Sequence, residues 1–259
     1  MNALLSKVLG ERRSDEADKI AVNAAFIYFL SYLVFLILGF TIVKPFYASQ
    51  IGTADAEIME MGIDYLRTVM IFSFGLLSQI FFERLLTSTG RTIFSMTSQL
   101  CGAITNIILD PIMIFGYFGF PALGVKGAAI ATVIGQFAAC ICSVILFVVR
   151  CKEIKIRFKG FRLDKTIVSQ LYVVAIPSTI MMSLPSILIG ILNGILAAIS
   201  QAGVAVFGIY FKLQSFVYMP GNGVIQGMRP MISYSYGAKQ YDRLKETIEK
   251  DFTNREIIY

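Results

Sequence analysis

The sequence predicts an all-α protein, a polytopic transmembrane helical bundle with about six spanning helices. Of its 259 residues, 56% are hydrophobic and only 15% are charged, and the mean hydropathy is +0.70. A soluble domain usually has about a quarter of its residues charged. The apolar residues also gather in runs of about 20 residues, the length that a bilayer requires. These runs leave no stretch long enough for a soluble domain.

Six apolar runs are long enough to span a membrane. They cover residues 20–43, 65–86, 93–117, 127–149, 167–198 and 203–235. The last two runs exceed the usual length, so we expect them to tilt, kink or protrude. The fifth run contains Pro177 and Pro185, which remove backbone donors and favour kinks.

Lysine and arginine are concentrated in alternate connecting segments, which predicts an orientation. The segments rich in basic residues are 1–19, 84–91, 150–166 and 229–259. The segments 44–64 and 118–126 each contain a single lysine. Because basic segments stay on the cytoplasmic side, the rich segments are expected to be cytoplasmic. The same distribution explains the net charge of +6 without a nucleic-acid partner.

The cysteines do not indicate a metal centre or a disulfide. Cys101, Cys140, Cys142 and Cys151 lack metal-ligand spacing, and the chain contains no histidine. We interpret them as free thiols that pack among apolar side chains. An enzyme embedded in a membrane would need clustered histidine, aspartate or cysteine. We therefore predict no metal, no cofactor and no enzymatic reaction.

The two ends of the chain resemble each other. Residues 2–19 align with residues 229–246 without gaps, so that Gly10 meets Gly237 at an offset of 227 residues. Six predicted crossings separate the copies, so both have the same orientation, as in the parallel repeats of many transporters. We therefore expect a truncated chain, taken from a protein of two such units.

Polar residues at membrane depth are costly, which makes them candidates for function. The third run contains Asn106 and Asp110, whose i, i+4 spacing puts both side chains on one helix face. Apolar surroundings favour the neutral form of a carboxyl group, so Asp110 could exchange a proton near neutral pH. Pro111 removes a backbone donor beside it and favours a bend. Alternatively, Asp110 lies near the outer end of the run and simply reaches water.

Two further runs carry polar candidates. Tyr65 begins the second run between Asp64 and Arg67, which are spaced to form a local ion pair. Thr132 and Gln136 share a face of the fourth run. A threonine in a membrane helix often donates only to its own backbone, which is the alternative for Thr132.

The fifth and sixth runs offer weaker candidates for a substrate cavity. Besides Gln136, these candidates are Asn193, Lys212, Met181 and Phe207. Methionine and aromatic side chains adapt to varied ligands, although apolar helix residues more often pack in a core or face lipid. Lys212 could instead pair with an acidic residue elsewhere in the protein.

Glycines recur at a helical spacing in the same two runs. Gly190 and Gly194 lie in the fifth run, and Gly223 and Gly227 lie in the sixth. Small residues four positions apart let two membrane helices approach closely. We therefore predict helix contacts at both glycine pairs.

Three segments resemble the multidrug and toxic compound extrusion (MATE) family, and within it the MepA-like bacterial branch. They are residues 106–116, NIILDPIMIFG; residues 124–133, GVKGAAIATV; and residues 220–239, PGNGVIQGMRPMISYSYGAK. The resemblance implies a MATE-like fold of two lobes and twelve helices in a bacterial plasma membrane. It implies an incomplete N-terminal lobe over residues 1–150, an inter-lobe loop over 151–166, and the start of a C-terminal lobe over 167–259.

The resemblance also implies a function. The family exports amphipathic, often cationic compounds in exchange for protons or sodium, and the full-length protein is expected to be a monomer in the lipid bilayer. The family's proton-linked network includes positions that match Tyr65, Asn106, Asp110 and Thr132. The fifth run has no acidic residue near positions 181–183, where some sodium-coupled members carry one, so protons are favoured over sodium.

Two alternatives remain open at the level of sequence. A lipid or lipid-linked oligosaccharide flippase of the same superfamily would need a basic cavity, and only Lys212 and Arg67 lie well inside helices. The chain could also be a non-functional fragment. The sequence does not indicate which drugs would be exported.

Overall fold

In the computed structural model, the described residues are 1–51, 56–151, 153–154, 156, 163–242 and 245. Within them the chain forms nine α-helices and one short 3₁₀ turn at Tyr117–Gly119. The helices are α1 (Asn2–Gly10), α2 (Ser14–Thr41), α3 (Val43–Ile51), α4 (Ala56–Ile71), α5 (Phe74–Ser88), α6 (Thr92–Phe115), α7 (Val125–Arg150), α8 (Lys165–Ile199) and α9 (Gln201–Gly237). The predicted all-α class is confirmed.

The helices gather into two compact units. Unit 1 combines Met1–Ile20 with Arg162–Tyr259, and unit 2 comprises Ala21–Phe161. Residues 152, 155 and 157–162 of the predicted inter-lobe loop, and residues 243–244 and 246–259 of the predicted cytoplasmic tail, lie outside the described residues. The predicted assignment of lobes stays a prediction.

Several helices have the length and the composition of membrane spans. Among the described residues, α2, α6, α7 and α8 are each long and apolar enough to cross a bilayer, and the bent pair of α4 and α5 can form a fifth span. The sixth predicted run is a single continuous helix, α9, of 37 residues. It is not among the candidate spans, because no described stretch of α9 reaches the apolar composition that the other long helices have.

The second predicted run, residues 65–86, is not one straight helix. It breaks after Ile71, and α4 and α5 meet at an angle of 47°. At the break, the backbone N–H of Ser73 donates to the Met70 carbonyl oxygen, and that of Gly75 donates to the Phe72 carbonyl oxygen. Each acceptor is only three residues back, and each N···O distance is 3.3 Å. This spacing interrupts the i to i−4 ladder and accounts for the bend. The predicted run therefore forms a bent pair of helices that together have the length and composition of one span.

In unit 1, α1 packs against the C-terminal part of α9. The contact is so close that a Cβ atom at Gly10 would collide with the Tyr234 carbonyl oxygen. A Cβ atom at Gly237 would in the same way collide with the Lys7 carbonyl oxygen. Within the repeat, Gly10 corresponds to Gly237 and Lys7 corresponds to Tyr234. Each glycine therefore contacts, in the other copy, the residue equivalent to the one that its counterpart contacts. The two copies of the repeat therefore pack on each other about a local two-fold axis.

The turns that follow these two helices also repeat. Arg12 has a φ of +59° and Lys239 has a φ of +56°, and the two positions are 227 residues apart. Left-handed backbone is uncommon for residues other than glycine, so its recurrence at that offset is informative. Three backbone hydrogen bonds in the first turn recur in the second, each shifted by 227 residues. In the first turn they run from Glu11 N to Lys7 O, from Arg12 N to Leu9 O and from Arg13 N to Val8 O. In the second they run from Ala238 N to Tyr234 O, from Lys239 N to Tyr236 O and from Gln240 N to Ser235 O. The predicted repeat is confirmed over residues 7–13 and 234–240.

The predicted glycine contacts in α8 and α9 were wrong. In the part of the chain that the structure describes, a Cβ atom at Gly190, Gly194, Gly223 or Gly227 would meet nothing within 4 Å. The helices α8 and α9 meet instead near their junction, where a Cβ atom at Gly203 would lie 3.6 Å from Leu196 Cδ2.

A matched pair of substitutions on α9 tests the α1–α9 contact. Gly237→Ala is expected to destabilise the protein by about 1 to 3 kcal/mol, because the added methyl overpacks the contact with Lys7. Gly227→Ala adds the same methyl into open space and is expected to stabilise α9 by about 0.5 to 1 kcal/mol. Thermal unfolding of the detergent-solubilised protein, followed by circular dichroism, measures both. Equal effects of the two substitutions would contradict the contact.

Candidate functional site

The candidate site in unit 2 is built on the hairpin of α6 and α7. The helix α6 ends at a left-handed Gly116, with a φ of +76°, where a Cβ atom would lie 2.7 Å from the Phe120 carbonyl oxygen. Glycine is the residue that adopts this conformation without steric cost. At the start of α7, a Cβ atom at Gly127 would collide with the Met113 carbonyl. The chain therefore turns back tightly, and α6 and α7 run side by side.

Two facing glycines bring the backbones of α6 and α7 together. A Cβ atom at Gly102 would lie 2.9 Å from the Gly135 carbonyl oxygen and 2.7 Å from the Cβ of Ala139. A Cβ atom at Gly135 would lie 2.9 Å from the Gly102 carbonyl oxygen and 3.1 Å from the Cβ of Asn106. The approach therefore sets the position of Asn106, one turn along α6, against α7.

A small polar cluster forms where the helices meet. The Asn106 side-chain amide donates to Asp110 Oδ1 over 3.2 Å and reaches Thr132 Oγ1 at 3.5 Å. The Thr132 hydroxyl donates to the Ala128 carbonyl over 2.9 Å. Asn106, Asp110 and Thr132 are all half-buried. The predicted shared face of Asn106 and Asp110 is confirmed, and α7 adds Thr132 to it.

Two further candidates have no hydrogen bond to this cluster in the ranges that the structure describes: Gln136, predicted for the substrate cavity, and Tyr65, predicted for coupling. Gln136 lies one turn beyond Thr132 on α7, and its Oε1 atom is buried without a hydrogen-bond partner among the described residues. Tyr65 is half-buried on α4, and the described part of the chain provides no hydrogen bond to its hydroxyl. The structure thus joins three of the four predicted coupling residues and leaves Tyr65 apart from them. Their functional roles stay predictions.

An ion pair connects α4 with the start of α7. Lys126 Nζ lies 2.8 Å from Asp64 Oδ2. The predicted local pair of Asp64 with Arg67 was therefore wrong. The Arg67 Nε atom is buried and has no hydrogen-bond partner among the described residues. The spacing within α4 allowed the local pair. However, α4 packs on α7, and this packing places Lys126 beside Asp64.

A second candidate site is a cavity in unit 1 between α8 and α9. Its volume is about 400 Å³, and Asn193, Phe207 and Lys212 all line it. Three of the five residues predicted for a substrate cavity therefore meet in one place. Met181 does not line this cavity and is 73% exposed. Gln136 belongs to unit 2.

The same unit contains a larger and more polar cavity of about 630 Å³. It lies between the start of α2 and the start of α8, and Arg12, Arg13 and Glu16 are among the residues that line it. The Arg13 guanidinium forms ion pairs with Glu11 and Glu16, and its hydrogen bond to Glu11 lowers the pKa of that carboxyl group. The local carboxylates thus already neutralise this arginine.

Comparison with known proteins now identifies the family. The sequence matches the MatE family over residues 1–112 and 177–252, which is more than half of the chain. This chain belongs to the MatE family. The match confirms the resemblance that three segments of the sequence indicated.

Curated relatives and solved structures agree with this MatE assignment. The chain is 29% identical over 210 residues to the multidrug export protein MepA of Staphylococcus aureus, covering 80% of this chain and 45% of that protein. It is 28% identical over 258 residues to MepA of Staphylococcus haemolyticus, covering 98% of this chain and 55% of that protein. The chain thus spans about half the length of these relatives.

The MatE fold is also found among solved structures. An outward-facing multidrug resistance MATE family transporter superimposes with a TM-score of 0.84 at 22% identity, covering 99% of this chain and 56% of that one. At this identity the likeness shows the fold alone. The chain is therefore a multi-pass membrane protein of MATE-like helical fold.

The MatE match covers the two candidate sites unequally. Asn106 and Asp110 lie inside the first matched range, whereas Thr132 and Gln136 lie between the two ranges. Asn193 and Lys212 lie inside the second range. Both polar sites therefore draw residues from the MatE-like parts of the chain.

Sequence reasoning missed several residues that line the α8–α9 cavity. They are Ile189, Gly208, Phe211, Ser215, Phe216 and Met219. Apart from Phe211, which adjoins Lys212, those on α9 lie three, four or seven residues from Lys212, which is the spacing of one helix face. Extending that face outward from Lys212 would have identified them.

Double-mutant cycles test whether Asp64 pairs with Lys126 rather than with Arg67. We expect Asp64→Asn and Lys126→Met to be coupled in their effects on thermal unfolding. Lys126 is largely exposed, so the coupling should be small and should shrink as salt is added. The cycle of Asp64→Asn with Arg67→Met is the control and should show no coupling. The reverse ranking of the two cycles would refute the interhelical pair.

Proposed function

We propose that this protein is a secondary active multidrug exporter, which exchanges protons for amphipathic, often cationic compounds. Family membership and the MepA relatives support the transport function. The observation that carries the coupling mechanism is the cluster of Asn106, Asp110 and Thr132 between α6 and α7. It places one carboxyl group among apolar helices, where the Asn106 amide contacts both the Asp110 carboxyl group and the Thr132 hydroxyl.

The cluster can respond to a single proton. When Asp110 is ionised, its Oδ1 accepts from the Asn106 amide, a charge-assisted bond that is stronger than a neutral one. When Asp110 is protonated, this bond weakens, and the Asn106 amide is free to turn toward Thr132. The charge state of one carboxyl group thus selects between two hydrogen-bond arrangements across α6 and α7.

The next residue on α6 can convert this local change into a bend. Pro111 lies inside α6 and leaves the carbonyl of Ile107 without its usual helical donor. A helix with one missing bond bends there at lower cost than an intact helix does. We infer that protonation of Asp110 bends α6 at Pro111 and shifts the lobe between drug-binding and drug-releasing states.

Protons are the better candidate for the coupling ion. The cluster contains one carboxyl group, which suffices to carry one proton. Sodium is a hard cation that is usually held by several oxygen ligands, and α8 has no acidic residue at positions 181–183 to supplement such a set.

Replacement of Asp110 tests the coupling. Asp110→Asn keeps the shape of the side chain but cannot release a proton, so it is expected to abolish efflux driven by a pH gradient. The measurement is ethidium export from proteoliposomes with an imposed gradient. Asp64→Asn is the matched control and should retain efflux, because Asp64 pairs with Lys126 outside the cluster. Undiminished efflux by Asp110→Asn would remove Asp110 from the coupling scheme, and inactive unmutated protein would contradict the transport proposal itself.

We also propose an orientation in the bacterial plasma membrane, with residues 1–19, 84–91, 150–166 and 229–259 in the cytoplasm. The distribution of lysine and arginine supports this orientation. Among the described residues, the helices that are long and apolar enough to span a bilayer supply up to five of the six crossings that it requires.

Labelling of single cysteines tests the orientation. In a background without the four native cysteines, Ala122→Cys is expected to react with a membrane-impermeant maleimide on intact cells. Ser14→Cys should react only after the membrane is permeabilised. Both positions are exposed on the protein, so a difference in reactivity reports the side of the membrane. Labelling of Ser14→Cys in intact cells would overturn the orientation.

A further inference from the structure

Two free thiols meet on the hairpin of α6 and α7, near the polar cluster but outside it. Cys101 belongs to α6 and Cys142 belongs to α7, and the two thiol groups form a hydrogen bond with each other. They are far apart along the chain, so the sequence predicts only packing thiols, and the hairpin brings them together. Neither residue takes part in the coupling scheme proposed above.

The backbone geometry of the hairpin explains why the two thiols meet. A Cβ atom at Gly102 would lie only 2.7 Å from the Cβ of Ala139, so α6 and α7 approach closely at this level. Cys101 precedes Gly102, and Cys142 lies nearly one turn beyond Ala139. Because the two helices are antiparallel, both steps lead in the same direction along the hairpin. Disulfides need Cα atoms about 4.4 to 6.8 Å apart, and small residues at a helix contact permit such short separations.

The other two cysteines have different surroundings. Cys140 lies two residues before Cys142 on α7, so its side chain points about 200° around the helix from that of Cys142. Cys151 is buried and hydrogen-bonds with Thr89. Cys101 and Cys142 are both only half-buried, so a small oxidant can reach them. The hydrogen-bonded pair therefore differs from each remaining thiol in its neighbour or in its access.

We propose that Cys101 and Cys142 are a redox modification site, which closes to a disulfide when hydrogen peroxide oxidises the pair. One sulfur attacks the peroxide as a thiolate, becomes a sulfenic acid and releases the first water. The second sulfur attacks the sulfenic sulfur, forms the S–S bond and releases the second water. The two thiols together lose two protons and two electrons, and the peroxide is reduced to two molecules of water.

The hydrogen bond between the thiols favours this chemistry in two ways. An S–H donor stabilises the thiolate of its neighbour through a charge-assisted bond, and the thiolate is the nucleophile. The second thiol is also in place when the sulfenic acid forms, so closure is faster than attack by a thiol from solution. A sulfenic acid without such a neighbour is instead open to further oxidation to a sulfinic acid.

The disulfide would tie α6 to α7 between one and two turns before Asn106. In the proposed mechanism, α6 bends at Pro111 when the hydrogen bonds of Asn106 change. A covalent tie opposes any change in the packing of the two helices, so oxidation is expected to slow export. This consequence rests on the proposed function, whereas the formation of the disulfide does not.

Two complementary double variants of the full chain, reconstituted into nanodiscs, test the pair. Cys140→Ser with Cys151→Ser keeps only the proposed pair, and Cys101→Ser with Cys142→Ser keeps only the other two thiols. After treatment with hydrogen peroxide, the first variant is expected to lose both alkylatable thiols. Its Cys101–Cys142 crosslinked peptide should be about 2 Da lighter than the reduced peptides together. Dithiothreitol should restore both thiols. The second variant should form no disulfide, and thermal unfolding checks that both variants fold.

Efflux provides a second readout of the tie between the helices. In proteoliposomes, peroxide should lower ethidium export by Cys140→Ser with Cys151→Ser severalfold, and dithiothreitol should restore it. Export by Cys101→Ser with Cys142→Ser should not change with either reagent. Disulfide formation without a change in efflux would refute the effect on α6 but not the modification site. Inactive unmutated protein in its reduced form would contradict the transport proposal alone, because the crosslink is measured without transport.

Four results would overturn the modification site itself. The first is a Cys101–Cys142 pair that stays reduced in peroxide, and the second is a sulfinic acid at either residue in place of the disulfide. The third is an equal yield of disulfide in the two double variants. The fourth is a crosslink that joins two protein molecules instead of two helices of one chain, which a non-reducing gel would show.

Discussion

The polar cluster of unit 2 depends on the close approach of two backbones at Gly102 and Gly135. Each glycine lies so close to the carbonyl oxygen of the other that a Cβ atom on it would be only 2.9 Å from that oxygen. Inside a bilayer, burying apolar surface between helices gains little, because lipid tails are equally apolar. Helix pairs are therefore stabilised mainly by close van der Waals packing, which small residues permit. The reach from Asn106 to Thr132 follows from this packing.

Unit 1 uses the same kind of contact between the two copies of its repeat. Gly10 and Gly237 occupy equivalent positions, and each lies against the backbone of the other copy. Such reciprocity is expected when two similar helices cross about a two-fold axis, because one residue type solves the same steric problem twice. The matching left-handed residues Arg12 and Lys239 show that the chain also leaves the two helices through the same kind of turn.

The two candidate sites differ in how their polar groups are satisfied. In the cluster of α6 and α7, Asn106, Asp110 and Thr132 provide hydrogen-bond partners for one another. Such a network can hold two arrangements that differ by one proton. In the cavity of α8 and α9, the buried oxygen of Asn193 has no partner within the described chain, and neither does the charge of Lys212.

The sequence alone determined the all-α membrane class, the repeat and the shared face of Asn106 and Asp110. These features follow from hydropathy, from a fixed offset and from helical periodicity, which are local properties of the chain. The break at Ser73, the ion pair of Asp64 with Lys126 and the reach from Asn106 to Thr132 were decided by the tertiary structure. The same is true of which glycines lie at contacts: spacing favoured Gly190 and Gly227, but the contacts lie at Gly10, Gly102, Gly135 and Gly237. Helical periodicity gives the face on which a residue lies, but only packing decides which other helix covers that face.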